Sequence, residues 1–340
     1  MPKSVLTSSE FQEQLPSDEV APNGASDAPA QDSDETPDEE VQSKYFAGIF
    51  PGKEEPIDRE LGQILITLEK QLGMPLWLLM LKDGRNGEFD PMEGWLEESF
   101  RTCRHDFPAN ETVALLIHSG GGQGDVAYQI ASLLQRHCNG FIAIIPQYAK
   151  SAATLLALGA NEIWLADSAQ LGPVDVQIRD DEREEDLSAL DEVQSLERLH
   201  AFSLEAVDRT LLALKGRTKK KDSTLLPMAL DFTANLMRPL FEKIDAVHYT
   251  QMDRALQEAE DYAVRLLMVV NGSIRKSERI AHTLLARYPT HRFIINPHEA
   301  KGIGLPVKYP LSDEIEGVLE ALAPYLGVTT AVGKVQEVTG

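Results

Sequence analysis

Apolar residues recur at helical spacing across residues 56–72 (Ile57, Leu61, Ile64, Leu65, Leu68, Leu72) and stop at Gly73, which predicts an amphipathic helix with a glycine cap. Residues 75–81 read as a strand, and residues 91–103 as a helix with Trp95, Leu96 and Phe100 on one side. The run 113–118 is apolar throughout and ends at glycines, the pattern of a strand covered on both faces in a parallel sheet. Helical spacing returns over 124–137 (Val126, Ile130, Leu133, Leu134), and 141–146 is a second buried strand, so the stretch makes one βαβ unit.

The pattern then repeats. Residues 151–160 are Ala-rich and apolar, as a buried helix would be, and 162–165 form a third strand. After Gly172-Pro173 the character changes: an acidic run at 180–186 precedes long helical patterns over 187–270, interrupted near 216–223, with almost no strand signal. Residues 277–287 predict a further helix and 292–295 a last short strand. Asn296-Pro297-His298-Glu299 carries an N-cap, a proline at the first helical position and a capping-box Glu. No internal repeat is present. The expected architecture is an α/β core with a large helical excursion at about 180–285.

Charge changes the picture at the N-terminus. The 340-residue chain has a net charge of -22, and residues 1–43 hold eleven Asp or Glu against one Lys. With Phe11 as its one aromatic, this segment cannot bury enough apolar surface to offset chain entropy. We expect a disordered acidic tail over 1–43 and a folded domain over 44–340. Such acidity disfavours nucleic acid, whose affinity comes from Lys and Arg displacing counterions. The one basic run, from Lys215 to Lys221, reads as a solvated loop after a helix. Cys103 and Cys138 have no partner at metal-ligand spacing, so neither a disulfide framework nor a metal site is expected. The longest apolar runs fall far short of the ~20 residues of a membrane span. A cytoplasmic protein without membrane insertion is the expectation.

Two strand-to-helix turns could carry chemistry. The first is Ile117-His118-Ser119-Gly120-Gly121-Gly122-Gln123-Gly124-Asp125, whose glycines let backbone N–H groups face an open site. A phosphate-binding P-loop is excluded because Asp125-Val126 follows where Lys-Ser or Lys-Thr is needed. A dinucleotide fingerprint lacks its acidic residue, since Pro146-Gln147 ends the next strand. A ligand-free glycine turn remains the plain alternative. The second turn, Gln147-Tyr148-Ala149-Lys150-Ser151-Ala152-Ala153-Thr154, sets a hydroxyl at a helix start beside the Ala152 N–H. Alone, Ser151 would read as an ordinary N-cap. Paired with the glycine turn at adjacent edges of one parallel sheet, it reads as a nucleophile facing amide donors.

The stretch from Leu115 to Gln177 resembles the serine dehydrogenase proteinase family of the Clp protease/crotonase-like superfamily, which also includes signal peptide peptidase A. The matching pieces are the glycine turn, Pro146 through Ser151, Leu171-Gly172-Pro173-Val174-Asp175-Val176-Gln177, and a C-terminal block, His291 through Asn296 followed by Glu299 through Leu305. The resemblance implies a spiral core of ββα units, a nucleophile at Ser151, oxyanion donors at the Gly121 and Ala152 N–H groups, peptide or protein substrates, and assembly into homo-oligomers. It implies no cofactor.

The general base stays open. A serine hydroxyl needs a neighbour to take its proton. No histidine occurs between Ser151 and His200, and no lysine between Asp186 and Ala201, where signal-peptidase-like relatives keep theirs. His291 falls near the Clp triad aspartate and has an imidazole of suitable pKa, ~6.5 for the free side chain. His200 and Lys215 are the other candidates. Lys150 adjoins the nucleophile, but adjacent side chains at such a turn diverge, so it contacts substrate or solvent. Asp175 reads as a structural turn. Two rival readings remain: a catalytically inactive peptide-binding or assembly scaffold, and an acyl-CoA enzyme using the same two amides on a thioester, for which no adenine-binding pattern is visible.

Overall fold

The computed structural model describes residues 44–48, 55–180 and 185–338. The tail expected over 1–43 and most of the acidic run lie outside them. The chain begins with β1 (Lys44–Gly48), β2 (Glu55–Ile57), α1 (Arg59–Leu72), β3 (Leu76–Met80), α2 (Gly94–Thr102), β4 (Val113–His118) and α3 (Gly124–His137). It continues with β5 (Phe141–Ile145), β6 (Tyr148–Ala149), α4 (Ala152–Ala157), β7 (Glu162–Leu165), β8 (Gln170–Leu171), β9 (Gln177–Asp180) and β10 (Glu185–Ser188). Then follow α5 (Ala189–Arg217), α6 (Asp222–Phe241), α7 (Ala246–Asn271), α8 (Ile274–Ala286), α9 (Pro297–Ile303), β11 (Val307–Lys308), α10 (Asp313–Ala321) and β12 (Ala331–Val338).

The main sheet has the order β11-β7-β5-β4-β3-β12-β1-β2, parallel from β11 to β3 and antiparallel at β12 and β1. Every residue of β3, β4 and β5 is buried, which is why these strands are unbroken apolar runs rather than alternating ones. A Leu sealed at such a position contributes about 1.5–3 kcal/mol. After β5 and again after β7 the chain adds a short strand, β6 and β8, to a small second sheet. This is the ββα repeat of a Clp/crotonase-like fold.

The caps follow the sequence. Asp58 accepts from the Glu60 and Leu61 N–H groups at the start of α1, and Gly73 closes it at φ 65°. Asn296 accepts from Glu299 N–H, with Pro297 opening α9. One expectation is corrected: residues 292–295 are not a strand, because Ile295 forms only a single antiparallel bridge, to Leu171. Two exchanged backbone hydrogen bonds of 2.9 Å make up that bridge.

The helical excursion is real. α5, α6 and α7 occupy 189–271, and the break foreseen near 216–223 separates α5 from α6. A second break, at 242–245, comes from an N-cap the periodicity hides: Asp245 accepts from the Val247 and His248 N–H groups.

Candidate active site

β4 and β5 are neighbours in the parallel sheet, so the turns leaving their C-terminal ends meet. Ser119 bridges to Ala149, and the Lys150 N–H donates to the Ser119 carbonyl at 3.1 Å. A Cβ built on Gly121 would lie 2.8 Å from Ser151 Cβ and 3.3 Å from the Ala152 nitrogen. Only a residue without a side chain allows that approach, and its φ of 110° is one that favours glycine.

Ser151 has φ 51° and ψ -121°, the single non-glycine residue at positive φ among those described. A conformation of this kind costs on the order of 1–3 kcal/mol and persists where the surroundings over-determine it. The side chain makes no capping hydrogen bond to α4, contrary to the plain N-cap reading. The hydroxyl is therefore held at the turn without serving the helix.

The amides divide unequally. The Gly121 N–H, expected to be an oxyanion donor, instead donates to the buried Ser119 Oγ at 3.1 Å. The Gly121 carbonyl accepts from the Met92 N–H at 2.8 Å, so the Gly122 N–H, on the opposite side of the same planar peptide, points away from Met92. It has no acceptor among the described residues, and neither has the Ala152 N–H at the first position of α4. The physical reason for the correction is local: a serine two residues earlier offers its own hydroxyl to the Gly121 amide.

Thr154, buried on α4, holds the nucleophile turn to the next loop. Its Oγ1 lies 2.8 Å from the Ala149 carbonyl and 2.9 Å from the Gly172 carbonyl, and accepts from the Gly172 N–H at 3.3 Å. Gly172 packs against Lys150, where an added Cβ would come within 3.1 Å of the lysine Cβ. Three residues on, Asp175 Oδ2 lies 3.7 Å from His291 Nδ1. Asp175 Oδ1 accepts from Ser188 Oγ at 3.0 Å. Burial raises the Asp175 pKa, and the Ser188 hydrogen bond and the His291 charge oppose the rise. Asp175, read from sequence as a turn, is thus the partner of the histidine. The pairing carries no local sequence signal.

The other base candidates sit elsewhere in character. His200 is exposed on α5. Lys215 is an exposed residue whose ammonium is 2.8 Å from Asp222. Lys150 extends over the Tyr148 ring, 5.1 Å from its centroid.

A partly buried polar cluster gathers around Tyr148 of the nucleophile turn, and sequence reasoning did not single it out. Tyr148 donates to Asp83, whose carboxylate also holds Arg85 at 2.7 Å, and Arg85 reaches Gln147 at 2.8 Å. His118, wholly buried, packs against Tyr148 with ring centroids 4.2 Å apart and planes tilted by 48°, its Nε2 4.0 Å from Asp83. Burial is the largest influence on the imidazole and lowers its pKa to about 4.

A parallel α/β sheet with a second short-strand layer, and a serine at positive φ against a glycine turn, define a Clp-like α/β protein. The model of the ClpP-like SDH-type serine proteinase family matches residues 94–212 of this chain. That segment includes the glycine turn, Ser151 and Asp175, while His291 lies beyond it. The chain is 28% identical over 225 residues to Uncharacterized protein MJ0137 of Methanocaldococcus jannaschii, covering 66% of this chain and 63% of that protein. It is 27% identical over 236 residues to Uncharacterized protein MJ1495 of the same organism, covering 69% and 65%. The alignments thus span a little under two thirds of the length of these relatives. Among solved structures, a mutant of ClpP1 from Listeria monocytogenes aligns at TM-score 0.35 and 10% identity, over 73% of this chain and 99% of that one. A mutant of the membrane-bound stomatin-specific protease 1510-N aligns at TM-score 0.28 and 14% identity, over 45% and 68%.

Proposed function

We propose that this protein is a serine peptidase that cleaves peptide bonds through an acyl-enzyme on Ser151. Ser151 Oγ attacks the substrate carbonyl carbon, and its proton passes to His291, which Asp175 orients. The collapsing tetrahedral intermediate returns that proton to the leaving amine, and water repeats the sequence to release the acid. The Ala152 and Gly122 N–H groups are the proposed oxyanion donors, with Gly121 giving the space that lets the turns touch. Removal of one such donor typically costs 100- to 1,000-fold in kcat.

The observation that carries the reading is the Ser151 backbone: a strained serine with no capping duty, its Cβ against Gly121 and its neighbour's N–H without an acceptor among the described residues. The pairing of His291 with Asp175, whose loop Thr154 ties to the nucleophile turn, favours this histidine as the base over His200 and Lys215. Peptide or protein segments are the proposed substrate class. Phe89, exposed beside Gly120, offers an apolar surface to such a chain. Assembly into a homo-oligomer belongs to the same reading, and light scattering on the purified chain tests it.

A fluorophosphonate probe tests the chemistry. Labelling of the wild type that disappears in Ser151→Ala and falls steeply in His291→Ala supports the peptidase. A wild type that resists labelling across the pH range supports the inactive scaffold instead.

A further inference from the structure

We propose that the tip of the α5–α6 hairpin docks this protein on an anionic lipid surface. The proposal is independent of the chemistry at Ser151. It rests on two features that coincide at one end of the hairpin.

The first is apolar. α6 packs against α5 through Leu225, Ala229, Thr233 and Met237, a stripe of period four. Beside that stripe, in the half of α6 nearest the tip, Leu226, Met228, Leu230 and Phe232 are exposed, Phe232 by 55%. Leu212, in the last turns of α5, is exposed by 69%. From Asp222 to Phe232 the helix advances about 15 Å, so these side chains occupy the tip half of α6, whose other half also exposes Leu236, Leu240 and Phe241. Isolated exposed leucines are ordinary, but a cluster of this kind marks a contact surface.

The second feature is charge. Lys215 and Arg217 in the last turn of α5 and Lys219, Lys220 and Lys221 in the connection to α6 are all exposed. Lys215 pairs with Asp222, while the other four have no ion pair among the described residues. They stand in a chain whose net charge is -22. A tip that concentrates cations while the rest of the molecule is acidic selects a partner of high negative charge density and orients the protein toward it.

Cations bordering Leu, Met and Phe are what an interfacial segment needs: the ammonium groups stay at the headgroups while the apolar side chains enter the acyl boundary. No helix among the described residues is long and apolar enough to cross a membrane, so the contact would be peripheral. Nucleic acid fits less well, because its single-strand sites interleave cations with stacking aromatics, whereas this tip is chiefly aliphatic. A second copy would bring an identical basic tip, which repels in a tip-to-tip contact.

The experiment is flotation of the full chain with vesicles of phosphatidylcholine alone and of phosphatidylcholine mixed with phosphatidylglycerol. Binding is expected only to the mixed vesicles and is expected to weaken with salt. Each cation near such a surface is worth about fivefold in partitioning, so Lys219→Glu, Lys220→Glu and Lys221→Glu combined should reduce it by about a hundredfold or more. Leu226→Gln with Phe232→Gln should reduce it with the charges intact. Circular dichroism and probe labelling at Ser151 control for folding, since neither set of changes touches the site. Absence of binding to the mixed vesicles at low salt overturns the proposal. So does binding unaffected by either set of variants, or a hairpin that instead drives self-association in light scattering or retains duplex DNA or RNA.

Discussion

Thr154 Oγ1 lies 2.9 Å from the Gly172 carbonyl, so one buried hydroxyl on the nucleophile's helix fastens the loop that carries Asp175. The same oxygen is 2.8 Å from the Ala149 carbonyl. Thr154→Val keeps the shape and removes the hydroxyl, leaving the Gly172 carbonyl short of a partner while the Gly172 N–H keeps its 3.0 Å bond to the Ala149 carbonyl. We expect a loss of about 1–3 kcal/mol in denaturant unfolding and a larger proportional loss in kcat/KM, since only the β6–β8 backbone pairing would then tie the Asp175 loop to the nucleophile turn. A stability loss with unchanged kcat/KM would show that the tie is structural only.

Ser151→Gly separates strain from chemistry. Glycine adopts φ 51° without the penalty that serine bears, so the variant should unfold at higher denaturant, by about 1 kcal/mol, if relief of strain exceeds the added chain entropy of glycine. Probe labelling should vanish. A destabilised Ser151→Gly would mean that the strain relieved is smaller than the chain entropy that glycine adds.

Asp175 bears on both pH dependence and rate. Burial raises its folded pKa above the ordinary 3.8, so the folded state favours the neutral acid. Its contribution to stability is present below 3.8 and is lost as pH rises through the raised value. Asp175→Asn should therefore be as stable as the wild type or more so at pH 7, with a flatter stability profile just above pH 3.8, while kcat/KM falls about 100- to 10,000-fold. Chemical denaturation across pH, alongside peptide cleavage, reads both.

His118 runs the other way. Its folded pKa of about 4 lies below the ordinary 6.5, so the unfolded chain binds the proton more readily. Stability from this group is complete above pH 6.5 and is lost as pH falls toward 4, by on the order of 3 kcal/mol. His118→Leu should reduce the acid sensitivity in that window. Equal pH slopes for wild type and variant would place the acid sensitivity in other groups.

Much of the core was legible because burial on both faces of a parallel strand leaves an apolar run that stops abruptly at glycine. Residues 113–118, 124–137 and 162–165 have the bounds the pattern predicts for β4, α3 and β7. The 292–295 segment failed for a physical reason: Phe293, Ile294 and Ile295 look like a strand, but only Ile295 bridges to another segment, while the Phe293 N–H closes a turn on the Thr290 carbonyl. β1 and β12 carried no usable signal, since each is completed by a segment at the opposite end of the chain.

The candidate site divides along the same line. A glycine turn after one strand and a serine after the next are local features, visible as residue types in order. Which amide is free was not visible, because it depends on Ser119 turning its hydroxyl to Gly121 and on Met92 taking the other side of the peptide. Nor was the pairing of Asp175 with His291, or the cluster of Asp83, Tyr148 and His118, each assembled from segments far apart in the chain.

The amino-acid order by itself determined where helices and strands form and which turns carry glycine or a hydroxyl, because periodicity, capping and chain reversal act between residues a few positions apart. Tertiary structure alone decided which carboxylate meets which imidazole, which N–H lacks an acceptor, and which of the leucines flanking the basic turn at 215–221 stay exposed. Those relations depend on strand order and helix packing, and nothing in a local stretch of sequence encodes the distance between segments that meet only when the sheet is built.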